Sequence, residues 1–280
     1  MSWSRKLPGA LLPACFFLFA LMTAASKLVP VQPRPVPARL AEDWKPQLAG
    51  VRTVDDALRI LPSYIARERG SREARTAAGI DHFVRDRFFH GPSLLNYRHN
   101  WLAAAAGSFW IDLRMPVLPD EILHHRRAIC SQQAIVFMEL LKRSGMDYAS
   151  VLVSWPTADG KAAGHFAVAA RVDGHWRYFD PDQEARQIGV PVESVIDGSA
   201  LPRLYGGKPA LLEQMRYAAA HRQIRLAHVD LYPAPRGGLF QQVTRWLSAY
   251  GWLVFGLLAL AQLATLRRRQ ELRAPIALPV

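Results

Sequence analysis

The chain has 280 residues, half of them apolar, and carries a formal net charge of +12. That length accommodates two hydrophobic ends around one domain of roughly 200 residues with its own core, and a charged fraction of 21% excludes both a polytopic membrane protein and a disordered chain. Six basic residues (Arg5, Lys6, Arg267, Arg268, Arg269, Arg273) flank the hydrophobic ends. The modest surplus left in the middle favours anionic surfaces, and without a basic stripe interleaved with aromatics it points to no nucleic-acid partner.

Residues 7–25, "LPGALLPACFFLFALMTAA", follow Arg5 and Lys6 and end in small residues. This is the layout of a signal peptide or of an uncleaved N-terminal anchor over residues 1–27. Cys15 lies inside it, so Cys130 stands alone in the middle and there is no disulfide framework to read. "VPVQPRPVP" reads as an extended spacer within a proline-rich linker at 28–40. From Val54 to about Phe89 the pattern is helical. Thr53 is expected to cap a first helix that Pro62 ends or kinks, and Ile80, Phe83 and Val84 give a second its apolar positions.

"NWLAAAAGSFW" reads as a short helix, and Pro116 and Pro119 mark a loop. A helix then begins at Cys130, with Ala134, Phe137 and Leu141 on one face. After Gly145 the pattern turns to strands: "YASVLVSW", "HFAVAARV" and "HWRYFD". The stretch 181–235 is mixed, with a helix around 209–220 and a strand around 224–232. Helices followed by an antiparallel sheet make an α+β order, here in a domain expected to span 41–235. Residues 246–266 carry no charge over 21 positions and are followed by three arginines. They predict a transmembrane helix with a basic cytoplasmic tail at 267–280, and Trp246, Tyr250 and Trp252 suit an interfacial belt. Both ends in and the middle out would place the domain on the periplasmic side of the inner (cytoplasmic) membrane.

A thiol is a useful nucleophile as thiolate, and a helix N-terminus favours that form. Cys130 has that position, but it still needs a base and the base an orienting acceptor. Val172–Asp173–Gly174–His175 is a strong hairpin signal. With Asp173 and Gly174 as the two loop residues, 172 pairs with 175, 167 faces 180 and 165 faces 182. His165 and Asp180 then lie on one face as diagonal neighbours, provided that no bulge reverses the strand. For an oxyanion donor the backbone N–H of Cys130 is one candidate; Trp101, Trp110 and Gln132 are side-chain candidates among which spacing does not choose. His124 and His125 with Cys130 fit no familiar zinc spacing, so neither a metal nor a cofactor is expected. His90, His99, His175, His221 and His228 belong to no constellation readable from the chain.

A small residue and Cys opening an apolar helix, then a strand with Gly–His–hydrophobic, then W-x-x-x-D-P, resembles the transglutaminase-like domain of the papain-like cysteine superfamily, in a membrane-anchored bacterial form. The likeness covers about residues 120–185. It implies a nucleophile at Cys130, a base at His165 and an orienting carboxylate at Asp180, with the usual preceding tryptophan at Trp176. Ile129 stands where the family often has Gly, and Phe166–Ala167 follow His165 where a small residue and an aromatic are common; neither departure removes a reacting group. The resemblance implies an enzyme that attacks an amide or peptide carbonyl through a thioester, for hydrolysis or acyl transfer on a protein or peptide substrate of the cell envelope. The alternative is a non-catalytic binding or assembly module serving a surface-polymer (exopolysaccharide) or secretion system. Membrane lipid is an expected partner in either case.

Overall fold

The computed structural model describes residues 7–30, 35–37 and 42–271; Arg5, Lys6, positions 31–34 and 38–41 of the spacer and the tail from 272 lie outside the described residues. In chain order come helices α1 (Leu7–Leu28), α2 (Val54–Ile65) and α3 (Arg72–Arg87), strand β1 (Phe89–His90), helices α4 (Trp101–Ala106) and α5 (Pro119–Leu123), and strand β2 (Arg127–Ala128). Helix α6 (Cys130–Arg143) leads into strands β3 (Tyr148–Pro156), β4 (Ala162–Val172), β5 (His175–Phe179) and β6 (Val190–Pro191). Helices α7 (Val192–Ile196), α8 (Leu201–Tyr205) and α9 (Pro209–Ala220), strand β7 (Ile224–Ala227) and helix α10 (Pro235–Glu271) complete the order. The chain divides into two compact units. One comprises Pro35–Ser93 and Met115–Gly238; the other groups the terminal segments with Leu94–Arg114. The single span 41–235 expected from the sequence is therefore interrupted by an excursion at 94–114.

In the first of these units, Thr53 and Asp56 cap α2 reciprocally, each side chain accepting the other residue's backbone N–H. The helix is not ended by Pro62: it runs on to Ile65, giving up only the one ladder bond that proline cannot donate. The sheet order is β6-β5-β4-β3-β7, antiparallel at every step. Because side chains alternate across a strand, Tyr148, Val168, Ala170, Val172 and Phe179 pack with α2, α3 and α6. Ala149, Val151, Val153, Ala167, Ala169 and Tyr178 face the opposite way, onto α7, α8 and α9. Those first two short helices, and β6, lie in the stretch whose sequence pattern was mixed. The helix expected at 209–220 forms over those residues, whereas the strand around 224–232 is shorter and ends at Ala227.

In the other unit α1 and α10 are each long and apolar enough to cross a membrane, over Leu11–Leu28 and Pro235–Arg269. They meet closely: the Phe19 ring lies where a Cβ on Gly251 would come within 2.4 Å of it, and it packs on Phe255 with ring centroids 4.8 Å apart. The excursion is closed at its base by two hydrogen bonds, Leu95 N–H to the Arg114 carbonyl and Arg114 Nε to the Leu95 carbonyl, both 2.8 Å. Asn100 caps α4 by accepting from Ala103 N–H. Its amide nitrogen donates to the Gln241 carbonyl at 3.2 Å and to Thr244 Oγ1 at 3.0 Å.

Candidate active site

Three local structures converge in the first unit. The hairpin forms with the expected loop: Asp173 and Gly174 both have positive φ, 50° and 80°, as a two-residue turn between twisted strands requires. The ladder then pairs Val172 with His175 and continues to Val168 with Phe179 without a bulge. His165 and Asp180 consequently share a face, and His165 Nε2 donates to Asp180 Oδ2 at 2.8 Å, both side chains buried. Cys130 stands beside the same ring: its Sγ lies within 4.8 Å of a His165 ring nitrogen, and its influence helps to raise the imidazole's pKa. Cys130 is partly accessible.

Burial opposes charge on His165, but the Asp180 carboxylate beside it, the hydrogen bond between them and the contact with Cys130 outweigh that and hold its pKa well above 6.5. Burial likewise pushes Asp180 up; the His165 charge and hydrogen bond, with one from Tyr205, prevail and hold it below 3.8. Both shifts favour the charged forms, an imidazolium beside a carboxylate. Tyr205 donates to Asp180 Oδ2, and Tyr178 lies 2.7 Å from the Tyr205 oxygen. A tyrosine has one proton to give, and the carboxylate is the stronger acceptor. Tyr205 therefore donates to Asp180, and Tyr178 to Tyr205. Nothing in the spacing of Tyr178 and Tyr205 announces this support.

A second carboxylate, missed in the sequence, stands near the thiol. Donor atoms of Cys130, His165 and Asp182 all lie within 4.8 Å of one another, a set that could also converge on a metal ion. Asp182 Oδ1 accepts from His90 Nδ1 at 2.8 Å and from Gln133 Nε2 at 3.0 Å, and its Oδ2 from Gln183 Nε2 at 2.7 Å. His90 thus joins a constellation after all. Its bond to Asp182 raises its pKa, burial lowers it, and the charge of Asp182 adds to the rise. The parallel ladder of β1 with β2 pairs His90 with Ala128, two residues before Cys130. Pairing only two residues long leaves no periodic trace in a sequence.

The side-chain oxyanion candidates come out differently. Gln132 is buried, and its amide is fully committed. Its Oε1 accepts from Ser93 N–H, Ser93 Oγ and Ile129 N–H, and its Nε2 donates to the Ser93 and Pro116 carbonyls. Trp101 belongs to the other unit, where its indole N–H donates to the Ser248 carbonyl at 3.2 Å. Neither has a donor to offer an oxyanion. Trp110 also lies in that unit and is 71% exposed. The backbone N–H of Cys130 keeps its place at the head of α6, where a helix has no internal partner for it.

Gly164, next to His165, has a steric reason. A Cβ there would sit 2.5 Å from the Val153 carbonyl oxygen, a backbone atom that cannot swing away. Gly164→Ala is expected to displace β4 beside His165 and to lower both the unfolding temperature and thiol reactivity; calorimetry and alkylation kinetics on the same preparation would show whether the two fall together.

A family model described as a transglutaminase-like domain matches residues 71–199. No curated protein and no solved structure matches the chain. The matched stretch contains His90, Cys130, His165, Asp180 and Asp182. The part of the chain that brings thiol, imidazole and carboxylate together is a transglutaminase-like domain.

Proposed function

We propose that the protein is a membrane-anchored cysteine enzyme acting on an amide or peptide carbonyl of the cell envelope, with its domain on the periplasmic side of the inner membrane. The observation that carries the reading is His165, hydrogen-bonded to buried Asp180 and with a ring nitrogen within 4.8 Å of Cys130 Sγ. In this mechanism the Cys130 thiolate adds to the carbonyl carbon, and charge gathers on the carbonyl oxygen near the Cys130 backbone N–H. The C–N bond breaks, the departing amine takes the proton from His165, and an acyl thioester remains on Cys130. Water or an amine then attacks the thioester while His165 accepts its proton, releasing acid or amide and freeing Cys130 for another turnover. Asp180 fixes the ring and offsets its charge throughout.

The test is labelling of the purified full chain with an electrophilic probe such as a chloroacetamide, read by intact mass. The wild type is expected to take one label at Cys130 rapidly, and His165→Ala to take it at least about tenfold more slowly. Equal rates in the two proteins would sink the enzyme reading and leave the binding-module alternative.

A further inference from the structure

The excursion 94–114 ends in an apolar tip that the chemistry of the domain does not use. Phe109, Trp110 and Ile111 are consecutive and 82%, 71% and 53% exposed. Three large apolar side chains in a row facing water form a patch that soluble surfaces avoid unless something covers it. We infer that this tip is seated in the interfacial layer of a lipid bilayer, as a third membrane contact beside α1 and α10.

Lipid is the occupant that the surroundings favour. The excursion is fastened to the two helices that are apolar enough to span. Trp101 stacks edge-on against Phe19 of α1 at 5.3 Å, and the hydroxyl of Ser248 in α10 accepts the Leu102 N–H at 3.1 Å. Ser248 is two residues inside the uncharged run that begins at Trp246, so α4 is docked at the level where hydrocarbon gives way to headgroups. A six-residue helix is about 9 Å long, which keeps the tip close to that level. Trp246 and Tyr250, half exposed on α10, mark the same depth, and tryptophan and tyrosine are the side chains that prefer it. Lys27 and Arg98 hold the rim: the Lys27 ammonium donates to the Arg98 carbonyl at 2.9 Å, and both side chains are exposed. Cations at that height suit lipid phosphates.

The test uses the full chain with Cys15→Ala and Cys130→Ala, so that a single introduced cysteine carries an NBD fluorophore. The label is placed by Trp110→Cys, by Ala158→Cys in the exposed β3–β4 turn, or by Leu257→Cys on α10. Each protein is reconstituted into phosphatidylcholine–phosphatidylglycerol vesicles containing lipids with a nitroxide near the headgroup or deep in the acyl chain. The label at 110 is expected to emit at shorter wavelength than the label at 158 and to be quenched more by the shallow nitroxide than by the deep one. The label at 257 should show the reverse depth preference, and that at 158 no quenching. A label at 110 that behaves like the one at 158 overturns the inference. So does a label at 110 that is shielded from aqueous iodide yet untouched by either nitroxide, which would mean a protein partner. If 257 also escapes quenching, α10 does not span and the inference falls with it.

Discussion

Cys130→Ala is expected to give a folded protein that forms no acyl adduct and turns over no substrate. The change removes one sulfur atom from a partly accessible position at the head of α6, and Ala is the best of helix formers, so unfolding temperature should barely move. Turnover should fall on the order of 10⁶-fold, as when the nucleophile of a serine triad is deleted, because the thiol that would carry the acyl chain is gone. The measurement is an assay on an acyl substrate paired with thermal unfolding. Activity equal to wild type would mean that the chemistry lies elsewhere.

Asp180→Asn is expected to cost less, about 10–10³-fold in turnover, since the equivalent change in a serine triad costs about 10⁴-fold and a thiol needs less help from its base. The amide oxygen can still accept from His165 and Tyr205 on the Oδ2 side, while its nitrogen takes the Oδ1 side and loses only a 3.3 Å bond from Gln183 N–H. Geometry survives, but the charge does not. This fixes the sign of the pH effect. In the wild type the alkaline limb of activity, where His165 loses its proton, should lie well above pH 6.5. In Asp180→Asn the largest influence raising His165 is gone, whereas burial, which lowers it, remains. The alkaline limb should therefore move to lower pH. A profile that loses height without moving would show that Asp180 only positions the ring.

How much of this could be read in the chain depended on how local the signal was. Asp173–Gly174 fixed the register of β4 and β5, and with it the shared face of His165 and Asp180, because a two-residue turn leaves the pairing no freedom. The helix starting at Cys130 was legible for the same reason, its apolar face repeating within 14 residues. Asp182 and His90 were not. Their meeting depends on a two-residue parallel ladder between segments 38 positions apart, which no periodicity records. The excursion was legible as a short helix at Trp101–Ala106. Its docking on helices far away in sequence rests on single bonds such as that of Asn100 to Thr244, and sequence spacing says nothing about those. Pro62 shows the opposite case: as a stop signal it was overridden, because α2 is capped at its start and packed along Val54, Ala57, Leu61 and Tyr64.

Gln132 gives the domain a further property, one of modularity. Its amide nitrogen holds the carbonyls of Ser93 and Pro116 at 3.3 and 3.2 Å, so the chain leaves and re-enters within two hydrogen-bond lengths, beside the nucleophile's own helix. Ends so close can be joined by almost any length of chain, because closing a longer loop adds little entropy cost. The stretch between them is expected to tolerate lengthening, shortening or exchange with the α6 helix and the β4–β5 ladder unchanged. Positions 93 and 116 are accordingly the natural graft points of this protein. A bridge of roughly three residues between them should give a version whose pocket can be studied without the excursion, and the same junction would accept a foreign module without retuning His165 or Asp180.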